Sequence, residues 1–283
     1  MSVQQLFPTD PSATMVIREV VPGITTLSLP FKLAGSVKTG ARTTIVRLQT
    51  GSLAIFSPVP ITPDVRAKVS SLGTVRYIIA PNREHHLNLT AWAQEYPSAE
   101  IIGPEGLPEK RESNPATKGL TFSHVFTTAE KHSMTISAEF DAEFAYEYVH
   151  SHRNGELVFL HKPTRTLIQA DLLYNLPATE QFSKSGEDAT SGFLTMTVGG
   201  ILNTKMDSAW QKRTLWYGAA AKDRAGFTES IKRIQEWDYD RIIPCHGDVI
   251  ETGGKDVLHR VMDWFLVGKN LASRYNAREA GQF

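Results

Sequence analysis

Ile78-Ile79-Ala80-Pro81-Asn82-Arg83-Glu84-His85-His86-Leu87-Asn88-Leu89 changes character twice within a short span. It opens on the end of a largely apolar run, Val75 to Ile79, of the kind that forms a buried parallel strand. It turns at Ala80-Pro81-Asn82 and then delivers two adjacent histidines. A helical segment, Leu89 to Tyr96, follows and stops at Pro97. Open α/β sheets bind their ligands beyond the carboxyl ends of the strands, so polar residues delivered there are candidates for chemistry. A histidine pair alone is a weak signal, because most histidines are surface or satisfied core residues. Support has to come from the rest of the chain.

Composition narrows the field. The chain has 283 residues, 41% of them apolar and 21% charged, which suits one globular domain with a sizeable core. Lysine plus arginine balance aspartate plus glutamate, 30 against 30, and no basic stripe is interleaved with aromatics. That argues against nucleic acid as a partner. The single cysteine, Cys245, leaves no internal disulfide framework and fits a reducing, cytoplasmic compartment. No run is long enough to cross a bilayer, and Met1 to Ser12 lack the apolar centre of a signal peptide. The expectation is a cytoplasmic monomer or homodimer acting on a small molecule, with no membrane partner.

Along the chain, Ile24 to Pro30, Arg42 to Leu48 and Leu53 to Ser57 read as strands, the last two forming a hairpin across Thr50-Gly51. A helix follows, with Thr62 as cap, Pro63 at its first position, Asp64 in its first turn and Gly73 as its stop. Glu105 to Lys118, rich in proline, glycine and charge, reads as a surface loop. Phe144, Tyr146, Tyr148, His150 and His152 alternate, so one uninterrupted strand puts all five on one face. Asn154-Gly155 is a hairpin signal from which Leu157 to Leu160 returns. Thr166 to Ala170 is a strand ending at Asp171, which by itself reads equally as a helix cap. The segment 177–205 departs from this rhythm and is either a lid over a site or a peripheral elaboration or dimer contact. Thr228 caps a helix carrying Ile231, Ile234 and Trp237. Arg241 to Pro244 is a short strand before Cys245-His246-Gly247-Asp248. The last helix bears one apolar stripe through Val257, Leu258, Val261, Met262, Phe265 and Leu266, and 273–283 is a polar tail expected to fray. The order of elements suggests an α/β sandwich of sheets covered by helices.

Three strand ends thus carry metal-ligand chemistry: His85-His86, Asp171 and His246. This order of pieces resembles the metallo-β-lactamase fold superfamily over most of the chain. Ile243-Pro244-Cys245-His246-Gly247-Asp248 is similar to that family's final histidine turn, Leu167 to Asp171 to its aspartate strand, and His152-Arg153-Asn154-Gly155 to the spacing of its middle histidine. The first motif departs from the pattern. With His86 at the motif's last histidine, His85 stands where an aspartate is usual, and Pro81 and Arg83 occupy the two earlier histidine positions. A Pro-Asn-x-x-His-His motif of this kind is similar to that of a divergent branch of the superfamily.

The resemblance implies an αββα sandwich of two mixed sheets flanked by helices, forming a single domain with the lid or insertion at 177–205. It also implies one intact metal site, formed by His85, His86, Asp171 and His246, while the other keeps only His152. The implied cofactor is one divalent ion, zinc first, with iron or manganese as alternatives. Such a centre serves a hydrolase of an ester, thioester or lactone, acting through a metal-bound water on an anionic or carbonyl-rich molecule. His152 and Asp171 are then catalytic, His152 relaying a proton or ligating the metal, with His150 its competitor for either role. Arg83, His150 and Tyr174 are candidates for contact with substrate, the guanidinium by its charge. Two other readings stay open: a lyase, isomerase or decarboxylase using the same ion, and a binding protein that keeps the fold without catalysis. Cys245 reads as a small buried apolar residue, since no base is identifiable beside it.

Overall fold

The computed structural model describes residues 6–269; the tail expected at 273–283 lies outside that range. Seven strands form the first sheet in the order Val16–Val21, Ile24–Leu29, Ala41–Arg47, Ser52–Phe56, Thr74–Ile79, Glu100–Pro104 and His124–Phe126. The first four pair antiparallel, and the pairing becomes parallel from Ser52–Phe56 onward. Helices Pro63–Leu72 and Leu89–Glu95 make the crossovers that parallel neighbours require. The second sheet holds Phe144–Val149, Glu156–His161, Thr166–Gln169 and Arg241–Pro244. Its last pair is parallel and the others antiparallel.

Apolar side chains account for the layering. Phe56, Tyr77 and Ile79 from the first sheet meet Phe144, Phe159 and Ile168 from the second in one buried cluster. The first sheet's other face packs Ile45, Ile55 and Ile78 against Val65, Val69 and Trp92 of its helices. The second sheet's outer face packs Val158, Leu160 and Ile242 against Phe227, Ile231, Leu258 and Val261. The result is the expected αββα sandwich. Strands buried on both faces explain why the sequence runs are continuously apolar rather than alternating.

Several local expectations hold because their signals are chemical. Thr62 accepts the backbone N–H of Val65 through its side chain, Pro63 opens the helix, and Gly73 closes it. Other elements differ. Glu105 to Lys118 is not all loop: Leu107–Glu112 forms a helix whose Arg111 is buried. The helix assigned to a Thr228 cap begins at Arg224, capped by Asp223. Phe144–Val149 ends before the histidines, and the chain turns through 150–155, so His150 and His152 do not share the face of Tyr148. The segment 177–205 contains two helices, Thr179–Phe182 and Phe193–Ile201. No helix among the described residues is long and apolar enough to cross a membrane.

Candidate metal centre

Strand Thr74–Ile79 ends against the second sheet, and the turn after it is built by Asn82. The Asn82 side-chain oxygen accepts the backbone N–H groups of Glu84 and His85, at 2.8 and 3.1 Å. This Asx-type turn aims the His85 ring inward. Asp171 follows strand Thr166–Gln169, and His246 follows its parallel neighbour Arg241–Pro244. One donor atom from each of His85, Asp171 and His246 lies within 4.8 Å of the other two. Asp171 Oδ1 is 3.3 Å from His85 Nε2 and 3.5 Å from His246 Nε2.

Each donor is oriented by a second contact. His246 Nδ1 donates to the Gly40 carbonyl at 2.7 Å, which leaves the Nε2 lone pair of the neutral ring facing Asp171. His85 Nδ1 meets the Ser57 hydroxyl at 2.8 Å. Asp171 Oδ2 accepts from the amides of Asn82 and Asn154, both at 2.9 Å. Oδ1 accepts the Tyr174 hydroxyl at 2.6 Å, and the Tyr174 ring stacks on His246 with 7° between planes. One carboxylate oxygen is therefore held by amides while the other faces two imidazoles.

Behind this layer lies Glu156, fully buried at the start of strand Glu156–His161. Its carboxylate accepts the N–H groups of Ala170 and Asp171, at 2.7 and 2.9 Å, and the Asn82 amide at 2.7 Å. The turn carrying His246 is clamped by Arg42, whose guanidinium donates to the carbonyls of Pro244 and Gly247 at 2.6 and 2.7 Å and pairs with Glu180. A Cβ at Gly247, where φ is +87°, would sit 2.1 Å from the Asn175 carbonyl oxygen. Only glycine fits there.

The electrostatics follow from burial and neighbours. Burial opposes charge on His85, but the Asp171 carboxylate outweighs it and raises that imidazole well above its ordinary value. Burial likewise opposes charge on Asp171, and His85, with help from His246 and the Tyr174 hydroxyl, holds the carboxyl well below its usual range. Burial and the neighbouring His85 push His246 down to about 4. Burial, then the Asp171 charge, pushes Glu156 up to about 8.

The structure separates the sequence candidates into two groups. His85, Asp171 and His246 meet, and His152 and Tyr174 line the same cavity. His86, Arg83 and His150 do not join them. The four-donor set therefore contracts to three. His86 Nδ1 lies 3.1 Å from Arg111 Nη1, which can only donate, so the neutral ring carries its proton on Nε2 and has no lone pair left for a metal. Arg83 Nη2 donates to the Arg153 carbonyl at 2.8 Å, and its guanidinium packs beside Gly155 and Gly106, outside the cavity. His150 turns toward Asp223, 3.6 Å away, because the strand has already ended. Cys245 is buried and free, but its thiol lies beside the His85 imidazole, a neighbour that the apolar reading of this residue did not include.

Asn82, Asn154, Glu156 and Arg42 were absent from the sequence candidates. A usable signal existed for two of them. Asn82 sits inside the Pro-Asn-x-x-His-His motif, and Glu156 is a carboxylate leading an apolar strand, where charge is costly unless partnered. Asn154 carried only the hairpin signal of Asn154-Gly155, which points to a turn and not to a site contact, and Arg42 carried none.

The residue donor set, two imidazoles and one carboxylate on rigid elements, suits zinc or ferrous iron. Among the described residues no second group of three or more such side chains comes together. The donors stand in the wall of a cavity of about 660 Å³.

Comparisons agree with this architecture. The flavodiiron core of Flv1 from Synechocystis superposes with a TM-score of 0.62 at 14% identity, over 89% of this chain and 60% of that one. A metallo-β-lactamase from Pontibacter korlensis gives 0.56 at 10% identity, over 89% and 98%. A putative diflavin flavoprotein fragment from Nostoc gives 0.59 at 10%, over 92% and 98%. A search of curated proteins finds no match. A family model described as a domain of unknown function, DUF4336, matches residues 30–184, a span that includes His85 and Asp171 but not His246. The chain has the metallo-β-lactamase fold, and with more than half its length under that model it belongs to the DUF4336 family.

Proposed function

We propose that the protein is a metal-dependent hydrolase with one divalent ion, zinc by first preference, acting on an ester, thioester or lactone. The observation that carries this reading is the convergence of His85, Asp171 and His246, within 4.8 Å of one another, on the wall of a cavity large enough for a small molecule. An ion held there polarises a carbonyl and acidifies water, which is the chemistry such hydrolysis needs.

The chain's own residues supply the remainder. Asn82, Asn154 and Tyr174 fix the Asp171 carboxylate, so that it is oriented before any ligand arrives. His152 lines the cavity, and burial pushes it down to about 4, so the ring is neutral at physiological pH. Its Nδ1 accepts the backbone N–H of Asn154 at 3.2 Å, which puts the ring proton on Nε2. His152 therefore acts as a hydrogen-bond donor toward developing negative charge on a carbonyl oxygen. Tyr174 contributes through Asp171, to which its hydroxyl is committed.

Iron is the second choice of metal, because two histidines and one carboxylate also form the triad of mononuclear ferrous sites. Elemental analysis of the purified protein decides between the ions and tests the site. We expect about one ion per chain, large loss in His85→Ala and His246→Ala, and retention in His86→Ala. Full occupancy in the first two variants, or loss in His86→Ala alone, would overturn the assignment. Turnover of an ester, thioester and lactone panel, abolished by His246→Ala and by chelation, tests the reaction itself.

A further inference from the structure

The cavity's walls, apart from the three donors, are mostly hydrocarbon. Phe7, Phe31, Leu33, Leu87, Leu202 and Leu215 line it, from five separate parts of the chain. Among the described residues that line it, Arg153 is the one lysine or arginine, and its side chain is exposed. The Glu84 carboxylate at the same rim is held by Lys110 at 2.8 Å. Arg83, which the sequence offered as an anion receptor, is not among the lining residues and donates to the Arg153 carbonyl instead. Away from the three donors, an anionic group would thus find no buried lysine or arginine among these lining residues to meet it, and would surrender its hydration to leucine and phenylalanine. A hydrophobic group meets the opposite balance, since apolar walls gain from covering it.

We infer that the cavity takes an uncharged acyl compound whose non-reacting part is a hydrophobic chain or ring, with its carbonyl directed toward His152 and the Asp171 side of the site. This inference rests on the reading of the cavity as the substrate site of a hydrolase. It adds that selectivity comes from chain length and not from charge. Each methylene moved from water into such a lining is worth roughly a fourfold gain in affinity. An octanoyl group carries six more methylenes than an acetyl group, so even partial burial leaves a large margin.

The test is binding, measured calorimetrically on chelator-treated protein so that no turnover is required. The probes are the S-acetyl, S-octanoyl and S-glutaryl thioesters of N-acetylcysteamine, the first two uncharged and the third anionic. We expect the octanoyl compound to bind at least 30-fold more tightly than the acetyl one, and the glutaryl compound to gain nothing. Leu33 is 49% exposed at the rim, so Leu33→Glu is tolerated by the fold and should erode the octanoyl preference about tenfold. Leu87→Asp, on the opposite segment, should act in the same direction. Equal binding of acetyl and octanoyl probes, or tightest binding of the glutaryl one, would overturn the inference while leaving the metal measurements untouched. Octanoyl selectivity in a protein that elemental analysis finds free of metal as purified, before any chelator, would uphold it and remove the hydrolase reading instead.

Discussion

Replacing Asn82 by alanine should cost more than any other single amide in the molecule. The side chain is fully buried and makes four hydrogen bonds. Two of them, at 2.7 and 2.9 Å, donate to carboxylates that have no water to turn to. A hydrogen bond to a charged group contributes about 1.5–3 kcal/mol. Asp171 keeps Asn154 as a donor on the same oxygen, so its loss falls at the low end. Glu156 keeps two backbone donors on Oε1 but none on Oε2, so its loss falls at the high end. The part-buried N–H groups of Glu84 and His85 lose their shared acceptor, and with it the contact that aims the His85 ring. The total is about 3–5 kcal/mol, on the scale of breaking a buried charged pair. Denaturant unfolding of the chelated protein at pH 9, where the Glu156 carboxyl, pushed up to about 8, is ionised, measures it, with Glu156→Gln as the second arm of a double-mutant cycle. Neutralising Glu156 removes part of what Asn82 is needed for, so the double variant should be less damaged than the sum of the singles. A loss below about 1 kcal/mol, or strict additivity of the pair, would refute the claim that Asn82 acts by solvating these carboxylates.

Two further variants probe the His246 turn. Arg42→Met should destabilise by about 3–5 kcal/mol, because the Pro244 and Gly247 carbonyls and the Glu180 carboxylate lose a buried cation; unfolding measurements should show this even in chelator. Gly247→Ala should lose about 2 kcal/mol or more, since the added methyl meets the Asn175 backbone at a positive φ, and its zinc affinity, read by competition with a chromophoric chelator, should fall with it.

The parts of this molecule that were legible in sequence are those set by neighbouring residues. The Thr62-Pro63 start and Gly73 stop of one helix, the Arg42–Leu48 and Leu53–Ser57 hairpin and the buried strand through Ile79 all rest on local chemistry, and each appears within a residue or two of its expected place. The choice between His85 and His86 was not local. Both leave the same turn, and what separates them is Arg111, a residue brought beside His86 by a helix inside a stretch that reads as loop. The expectation that His150 and His152 share the face of Tyr148 failed the same way, because alternation holds only while the strand lasts and Val149 ends it, although His152 still reaches the cavity. Arg83 was favoured for its charge, whereas the turn at 153–155 took one of its donors and holds the guanidinium outside the cavity. The second layer of the site, Asn82 with Glu156 and Arg42 with the His246 turn, joins residues far apart in sequence, where spacing says nothing.

The Arg42 clamp also bears on how the protein is made. Its two carbonyl partners lie 202 and 205 residues downstream. During synthesis the guanidinium emerges about 200 residues before the two carbonyls that clamp the His246 turn to it. Strand Thr166–Gln169 likewise waits for Arg241–Pro244 to cover its open edge. A fragment ending at residue 184, where the family match stops, would have to bury the Arg42 guanidinium with only Ser28 and Glu180 as partners, its two carbonyl acceptors missing, and would leave one edge of strand Thr166–Gln169 open. Such a truncation should stay bound to chaperones or be degraded, and the nascent chain should become protease-resistant only after residue 247 has cleared the ribosome.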